Sequence, residues 1–252
     1  MKNLFIIGAQ RSGSTLLAKT LDLHSKIKLM TPVKPEPKYF LGSNYRGKQT
    51  YLDFFKRYEE NHNYFLEKSV SYIEHEDALR RINFDFPDAK ILVIFREPVS
   101  RCWSNYKYSV ENGIEKREFS EAIKNSNRLD FDPAISVNPF AYVERGFYDK
   151  YLEKVLNIFH KRNIKVIIFE EFIRSPESLN DIFEWLNLKK KINLTSNIFN
   201  KKINNTSSNH INPESIEELS HLYIKSIIRL ENLLGSKIDP WRNLWKERGI
   251  KL

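Results

Sequence analysis

The sequence predicts a single α/β domain in which a parallel β-sheet is flanked by helices. Three short, predominantly apolar segments, at 4–7, 90–95 and 165–169, have the composition of strands buried on both faces, and 64–66 is a weaker fourth. Stretches with helical periodicity alternate with these strands, and this alternation favours parallel pairing. The helical stretches are 14–23, 50–59, 74–83, 97–110, 147–160, 176–186 and 213–234.

The composition is that of a folded globular chain with a basic surface. The 252 residues are enough for one large domain, and no Gly- or Ser-rich linker divides them, so we expect one domain over 1–252. The 41 Lys and Arg side chains exceed the 32 Asp and Glu side chains, which gives a net charge of +9. A basic excess attracts anionic partners such as nucleic acids, phosphorylated cofactors or acidic glycans.

The composition also excludes several classes of protein. No run of about 18 apolar residues is present, so no transmembrane helix is expected. The apolar segment at 4–7 is shorter than the roughly 7–15 residues of a signal-peptide core, and we therefore expect a cytoplasmic protein. Cys102 is the only cysteine, which excludes an intrachain disulfide and a cysteine-based zinc site. No other metal-ligand pattern is present, and we expect no metal.

Ligands of parallel α/β sheets bind beyond the carboxyl ends of the strands, and the loop after the first strand is the first candidate site. Residues 8–15 read GAQRSGST, which has the spacing of the phosphate-binding P-loop but has Ser14 where that loop has lysine. Backbone N–H groups at a helix start bind anions, and Gly13 lets the backbone approach closely. Arg11 is the loop's cation. An ordinary strand-to-helix turn is the alternative interpretation.

A second candidate anion site follows the strand at 90–95. Arg96 comes directly after that strand, Pro98 begins a helix, and Ser104 lies two turns inside the helix. A guanidinium at a strand end beside a helix N-terminus can clamp an anion. A salt bridge between Arg96 and Glu97 is the structural alternative.

Together these segments resemble the sulfotransferases that use 3′-phosphoadenosine 5′-phosphosulfate (PAPS), and the pattern is closest to that of the heparan sulfate sulfotransferases. RSGSTLL at 11–17 resembles their 5′-phosphosulfate loop, and REPVSRCWSNY at 96–106 resembles their 3′-phosphate segment. Further segments match the family in the same order along the chain: PEPKYF at 35–40, EKSVSY at 67–72, RGFY at 145–148, LLG at 233–235 and DPW at 239–241.

The resemblance implies a reaction and a set of site residues. The reaction is transfer of a sulfonate group from PAPS to an acceptor hydroxyl, which leaves 3′-phosphoadenosine 5′-phosphate (PAP) and needs no metal. Glu36 is the implied general base, with Arg11 and Lys68 as further catalytic residues. The residues implied to bind PAPS are Arg11, Ser12, Gly13, Ser14, Thr15, Arg96 and Ser104, with Asn205 and Ser207 from a late loop.

The sequence departs from the heparan sulfate enzymes in three respects. Arg11 stands where those enzymes carry lysine, and the tyrosylprotein sulfotransferases resemble this chain in having arginine. Their late Lys-Gly-Arg loop is not visible, and 201–208 instead resembles the Asn-x-Ser loop of other sulfotransferases. The cysteine pair common in the animal enzymes is absent, which is consistent with a reducing compartment.

The segment around Glu36 is expected to form a wall of the acceptor site. Four cations, Lys34, Lys38, Arg46 and Lys48, surround this single acid between 34 and 48, and they would attract an anionic acceptor. We expect a hydroxyl acceptor on a carbohydrate, although a lipid-linked sugar or a small alcohol would also suit the chemistry. The predicted acceptor-binding residues are Lys34, Lys38, Tyr39, Lys68 and Ser71.

Two other functions remain open at the level of sequence. A P-loop kinase or NTPase would share the loop at 8–15, but Ser14 replaces its lysine and no apolar strand ends in a clear magnesium-binding Asp. A nucleic-acid-binding protein would use the charge of +9, but the basic residues are spread along the chain and no nucleic-acid-binding motif is present. We therefore expect no nucleic-acid partner.

Overall fold

The computed structural model describes residues 2–30, 33–54, 61–126, 137–175, 177–189 and 211–251. The α/β fold predicted from the sequence is confirmed: a five-stranded parallel sheet is flanked by helices. The strands are β1 Lys2–Gly8, β2 Ile27–Leu29, β3 Tyr64–Lys68, β4 Lys90–Phe95 and β5 Ile164–Ile168.

The sheet has the strand order β2-β3-β1-β4-β5, so β1 lies at its centre. Leu4 pairs with Leu66 of β3 on one side and with Lys90 of β4 on the other. All residues of β1 after Lys2 are buried, as the continuous apolar composition predicts for a central parallel strand. The chain leaves β1 toward one side of the sheet and reaches the other side only at β4. The carboxyl end of β1 is therefore the switch point at which such sheets bind ligands.

The helices follow the predicted stretches, with additional short elements. The part of the predicted helix at 50–59 beyond residue 54 lies outside the described residues. The helices are α1 Ser14–Leu21, α2 Lys48–Asp53, α3 Glu76–Asp85, α4 Pro98–Glu111, α5 Phe119–Lys124, α6 Tyr148–Ile158, α7 Phe169–Phe172, α8 Glu177–Trp185, α9 Pro213–Leu234 and α10 Asp239–Glu247. Four elements, β2, α5, α7 and α10, were not predicted. Each has three to nine residues, and elements this short carry only a weak periodic signal.

Local chemistry explains where the longer helices begin and end. Glu97 precedes α4 and accepts hydrogen bonds from the N–H groups of Val99 (3.1 Å) and Ser100 (2.8 Å). At α9, the side chain of Asn212 caps the N-terminus, and Pro213 follows at the first helical position. Gly235 ends α9 with a left-handed φ of 74°, a conformation that glycine adopts without strain.

The contacts divide the chain into two compact units. The first comprises Met1–Phe95 and Lys154–Lys201 and holds the whole sheet, and the second comprises Arg96–Glu153 and Lys202–Leu252. The second unit has a buried core that includes Trp241 and Trp245. Nε1 of Trp245 donates to Oε1 of Glu97 at 2.9 Å, so the carboxylate that caps α4 also holds α10.

Candidate active site

The loop after β1 requires glycine at two positions. A Cβ at Gly8, the last residue of β1, would lie 2.6 Å from Cγ2 of Ile73, closer than any real contact. Gly13 precedes α1 with a φ of 85°, and a Cβ there would overlap the ring of Phe169. Close packing at both glycines therefore determines the path of the loop between them.

The start of α1 offers hydrogen-bond donors to an anion. No side chain caps this helix at Gly13. Ser12 is fully buried, and its Oγ has no hydrogen-bond partner within the described ranges. Buried hydroxyls are normally hydrogen-bonded, and the first N–H groups of a helix bind anions. The loop, continued by Ser14 and Thr15, therefore fits a phosphate or sulfate group.

Arg11 and Gln10 of this loop are notable for their backbone conformation and side-chain hydrogen bond, respectively. Arg11 has a left-handed backbone with a φ of 63°. This conformation costs a non-glycine residue on the order of 1–3 kcal/mol and is concentrated at functional sites. Nε2 of Gln10 donates to Oε1 of Glu74 at 3.0 Å, which ties the loop after β1 to the turn after β3.

Glu36 and Lys68 lie together although 31 residues separate them in the chain. Lys68 is the last residue of β3, and its ammonium group donates to Oε1 of Glu36. The N–H of Val70 donates to Oε2 of the same carboxylate at 3.0 Å. The carboxyl ends of β1 and β3 are neighbours, so the ion pair lies on the same edge of the sheet as the loop at 9–13.

Glu67 precedes Lys68 on β3 and is fully buried. Its Oε1 accepts hydrogen bonds from Oγ of Ser69 at 2.7 Å and from the hydroxyl of Tyr72 at 2.5 Å. Burial raises the pKa of Glu67 to about 7, although the hydrogen bonds from Tyr72, Ser69 and Tyr51 lower it, and the charge of Glu36 raises it further.

The predicted acceptor-binding residues differ in how exposed their side chains are to solvent. Lys34 is exposed and Lys38 is partly exposed, so both are accessible to a ligand. Tyr39 is buried, and its hydroxyl donates to the carbonyl of Gly47 at 2.8 Å. Ser71 is buried, and its Oγ has no hydrogen-bond partner among the described residues.

Arg96 and Ser104 belong to the second unit. Arg96 directly follows β4 in the chain, and its carbonyl oxygen accepts a hydrogen bond from the hydroxyl of Tyr148 at 2.8 Å. Ser104 is buried on α4. Glu97 forms an ion pair with Arg248 at 3.4 Å.

One part of the predicted site lies outside the described residues, and two expected absences concern metals and membrane-spanning helices. Asn205 and Ser207 lie outside the described residues, so their assignment to PAPS stays a prediction. Within the described ranges, no three His, Cys, Asp or Glu side chains are grouped as metal ligands, and no helix has the length and apolarity to cross a membrane.

Several contacts that shape the site were not predicted. The ring of Phe169 against Gly13 and the N–H of Val70 on Glu36 carry no signal in the sequence. Glu67 lies in the predicted segment EKSVSY, but its burial and its hydrogen bonds from Ser69 and Tyr72 were not predicted.

Comparisons with known proteins agree with this geometry. A sequence profile described as the sulfotransferase family matches residues 28–191. Human heparan sulfate glucosamine 3-O-sulfotransferase 3B1 is 28% identical over 197 residues, which cover 78% of this chain and 48% of the human protein. Bifunctional heparan sulfate N-deacetylase/N-sulfotransferase 1 of Caenorhabditis elegans is 29% identical over 196 residues, which cover 75% of this chain and 22% of the relative. The chain thus spans half or less of the length of these relatives.

Solved structures share the fold. A sulfotransferase from Alicyclobacillus acidocaldarius matches with a TM-score of 0.77 and 25% sequence identity, covering 96% of this chain and 99% of that chain. A mouse sulfotransferase complexed with PAP matches in fold with a TM-score of 0.58 and 15% identity, covering 98% of this chain and 88% of that chain.

A parallel sheet flanked by helices, with a glycine-containing loop after its central strand, places this protein in the α/β class. Within that class the chain belongs to the sulfotransferase family, since the family profile covers most of its length. The resemblance seen in the motifs is therefore confirmed.

Proposed function

We propose that this protein transfers a sulfonate group from PAPS to a hydroxyl group of a carbohydrate, with Glu36 as the general base. The observation that carries the proposal is the Glu36–Lys68 ion pair, which lies on the sheet edge that also holds the anion-binding loop. Membership of the sulfotransferase family and relatives named for heparan sulfate support it.

The loop at 9–13 and the start of α1 would hold the 5′-phosphosulfate end of PAPS. Ser12 offers a buried hydroxyl without a partner among the described residues, and Arg11 offers a cation. The family resemblance assigns the 3′-phosphate to Arg96 and Ser104. A related fold has been solved with PAP, which supports the choice of donor.

The proposed chemistry uses Glu36 as the proton acceptor. PAPS supplies a sulfonate group on a phosphate leaving group. Glu36 takes the hydroxyl proton while the acceptor oxygen bonds to sulfur and the bond from sulfur to the phosphate oxygen breaks. Each carboxylate oxygen has two lone pairs, so the hydrogen bonds from Lys68 and Val70 leave room for this proton. Arg11 stabilises negative charge on the transferring group.

The charge near Glu36 favours an anionic carbohydrate. Lys34, Arg46 and Lys48 are exposed on the segment that carries Glu36, and Lys38 is partly exposed. Such a group of cations attracts an acidic glycan, and added salt shortens the range of this attraction.

A single domain over 1–252 and a cytoplasmic location remain predictions.

The proposal is tested first by ligand binding and then by transfer. PAP at 100 times its dissociation constant should stabilise the protein by about 2.7 kcal/mol, whereas ADP at the same concentration should stabilise it less. Incubation with PAPS and a series of acidic and neutral oligosaccharides should then produce a sulfated sugar, detected by mass spectrometry. Equal stabilisation by ADP and PAP, together with consumption of ATP, would favour the kinase alternative and overturn the proposal.

A further inference from the structure

Glu67 is a buried carboxyl group that the proposed chemistry does not use. It neighbours Lys68 on β3, and its side chain is fully buried. Its Oε1 accepts from Oγ of Ser69 and from the hydroxyl of Tyr72. Burying a carboxyl group costs free energy unless it is hydrogen-bonded, so the hydroxyls of Ser69 and Tyr72 stabilise Glu67 in this position.

Both hydroxyls also accept hydrogen bonds from the segment that carries Glu36. The N–H of Lys38 donates to Oγ of Ser69 at 3.0 Å, and the N–H of Phe40 donates to the hydroxyl of Tyr72 at 3.1 Å. A hydroxyl that donates its proton to Glu67 keeps lone pairs free to accept from an N–H group. Glu67 therefore orients both hydroxyls toward the same short piece of backbone.

This piece of backbone has little other regular support. Residues 33–40 are in neither a helix nor a strand, and Lys38 has a left-handed φ of 49°. Hydrogen bonds to side chains therefore hold this backbone in place, as hydrogen bonds between strands hold the backbone of a sheet. Side-chain networks of this kind fix a loop more firmly than a single bond, because each bond polarises the next.

We infer that Glu67 is a positioning residue: through Ser69 and Tyr72 it holds the backbone at 38–40 and so sets the approach of the Glu36 carboxylate to the acceptor. The inference rests on the proposed role of Glu36. Small displacements matter in such a site, since a shift of about 1 Å can cost on the order of 100-fold in rate.

Two hydroxyl deletions with a matched control test the inference. Ser69→Ala and Tyr72→Phe each remove one link between Glu67 and the Glu36 segment. Tyr64→Phe is the control, because Tyr64 is also buried and its hydroxyl donates to a carbonyl group, that of Leu186, at 2.9 Å. All three variants lose one buried hydroxyl, so a purely structural effect would be similar in each.

The first readout is kinetic. Ser69→Ala and Tyr72→Phe should lower kcat about 10- to 100-fold while the dissociation constant of PAP changes less than about two-fold. Tyr64→Phe should keep kcat close to that of the unaltered protein. Equal kcat values in Tyr72→Phe and Tyr64→Phe, or a parallel loss of PAP affinity, would overturn the inference.

The second readout needs no turnover and so separates this inference from the proposed function. Amide hydrogen exchange of Phe40 should accelerate at least about ten-fold in Tyr72→Phe, and that of Lys38 in Ser69→Ala, with neither changed in Tyr64→Phe. Unchanged exchange at both amides would refute the positioning role even in an active enzyme. Accelerated exchange in a protein without sulfonate transfer would support the role while removing the proposed reaction.

Discussion

Lys68 donates a hydrogen bond to Oε1 of Glu36, and the two side chains form an ion pair in which the lysine is 3% exposed and the glutamate 15% exposed. A lysine this buried requires a partner, because an unpaired buried charge costs several kcal/mol. The pair therefore ties the end of β3 to an irregular segment, and the Glu36 side chain remains partly exposed.

Glu36→Gln should remove the proton acceptor while keeping the size of the side chain. We expect kcat to fall about 10²–10⁴-fold with PAP binding retained, measured by a transfer assay and by calorimetry. Glu76→Gln is a control on the exposed face of α3, where Glu76 pairs only with its helix neighbour Arg80 among the contacts described. A fully active Glu36→Gln enzyme would remove Glu36 as the base.

Arg96→Ala should abolish the preference for PAP over ADP. A charge-assisted hydrogen bond to a phosphate contributes about 1.5–3 kcal/mol, so PAP affinity should fall roughly 10- to 100-fold while ADP affinity stays nearly constant. Thermal shift titrations with both nucleotides measure the difference. Arg80→Ala serves as the control, since its side chain is 68% exposed on α3.

Arg11→Ala should lower turnover more than it weakens binding of PAP. An interaction made mainly in the transition state lowers kcat and kcat/KM together. Arg11→Lys keeps the charge in the same left-handed backbone and should retain more activity than Arg11→Ala. Steady-state kinetics with PAPS and an acceptor give the comparison, and Lys19→Ala on the exposed side of α1 is the control. Unchanged turnover in Arg11→Ala would contradict the assignment.

Lys34→Ala combined with Lys38→Ala should raise KM for an acidic acceptor and flatten its dependence on salt. Both lysines flank Glu36, and the alanine at 38 keeps the backbone N–H that donates to Ser69. With two cations removed, fewer charges remain for salt to screen, so the KM for an acidic acceptor changes less with salt concentration. A neutral acceptor is the internal control, and equal loss of activity with both acceptors would indicate a general disturbance of the site.

Glu67→Gln should change how stability depends on pH. The pKa of Glu67 is raised from 4.5 to about 7, so the folded protein holds this proton where the unfolded chain has released it. The contribution of this group is present below about pH 4.5 and is lost as pH rises through about 7. Relative to the unaltered protein, the glutamine variant should gain up to about 1.4 kcal/mol per pH unit across that window. Chemical denaturation at several pH values measures the gain, and parallel curves for the two proteins would contradict the raised pKa.

The sequence alone determined the class of fold and the order of the motifs. The predominantly apolar runs at 4–7, 90–95 and 165–169 correspond to β1, β4 and β5, because strands of a parallel sheet covered on both faces are mostly apolar. The composition of a strand and the spacing of the loop at 8–15 are features of short stretches of sequence and can be read from the sequence, whereas the packing of Gly8 and Gly13 against Ile73 and Phe169 could not.

Only the tertiary structure decided which side chains meet. The strand β2 forms because Ile27 pairs with Tyr64, a partner 37 positions away along the sequence, and its three residues carry no pattern of their own. Glu36, on the segment that follows β2, meets Lys68 at the end of β3, the strand that pairs with β2. Glu67 is linked to the backbone of Lys38 and Phe40 through the hydroxyls of Ser69 and Tyr72. Strand order depends on the burial of the whole core and on chain crossovers, which act between distant residues. The motifs could therefore name Glu36 and Lys68 separately, but not the contacts that hold them together.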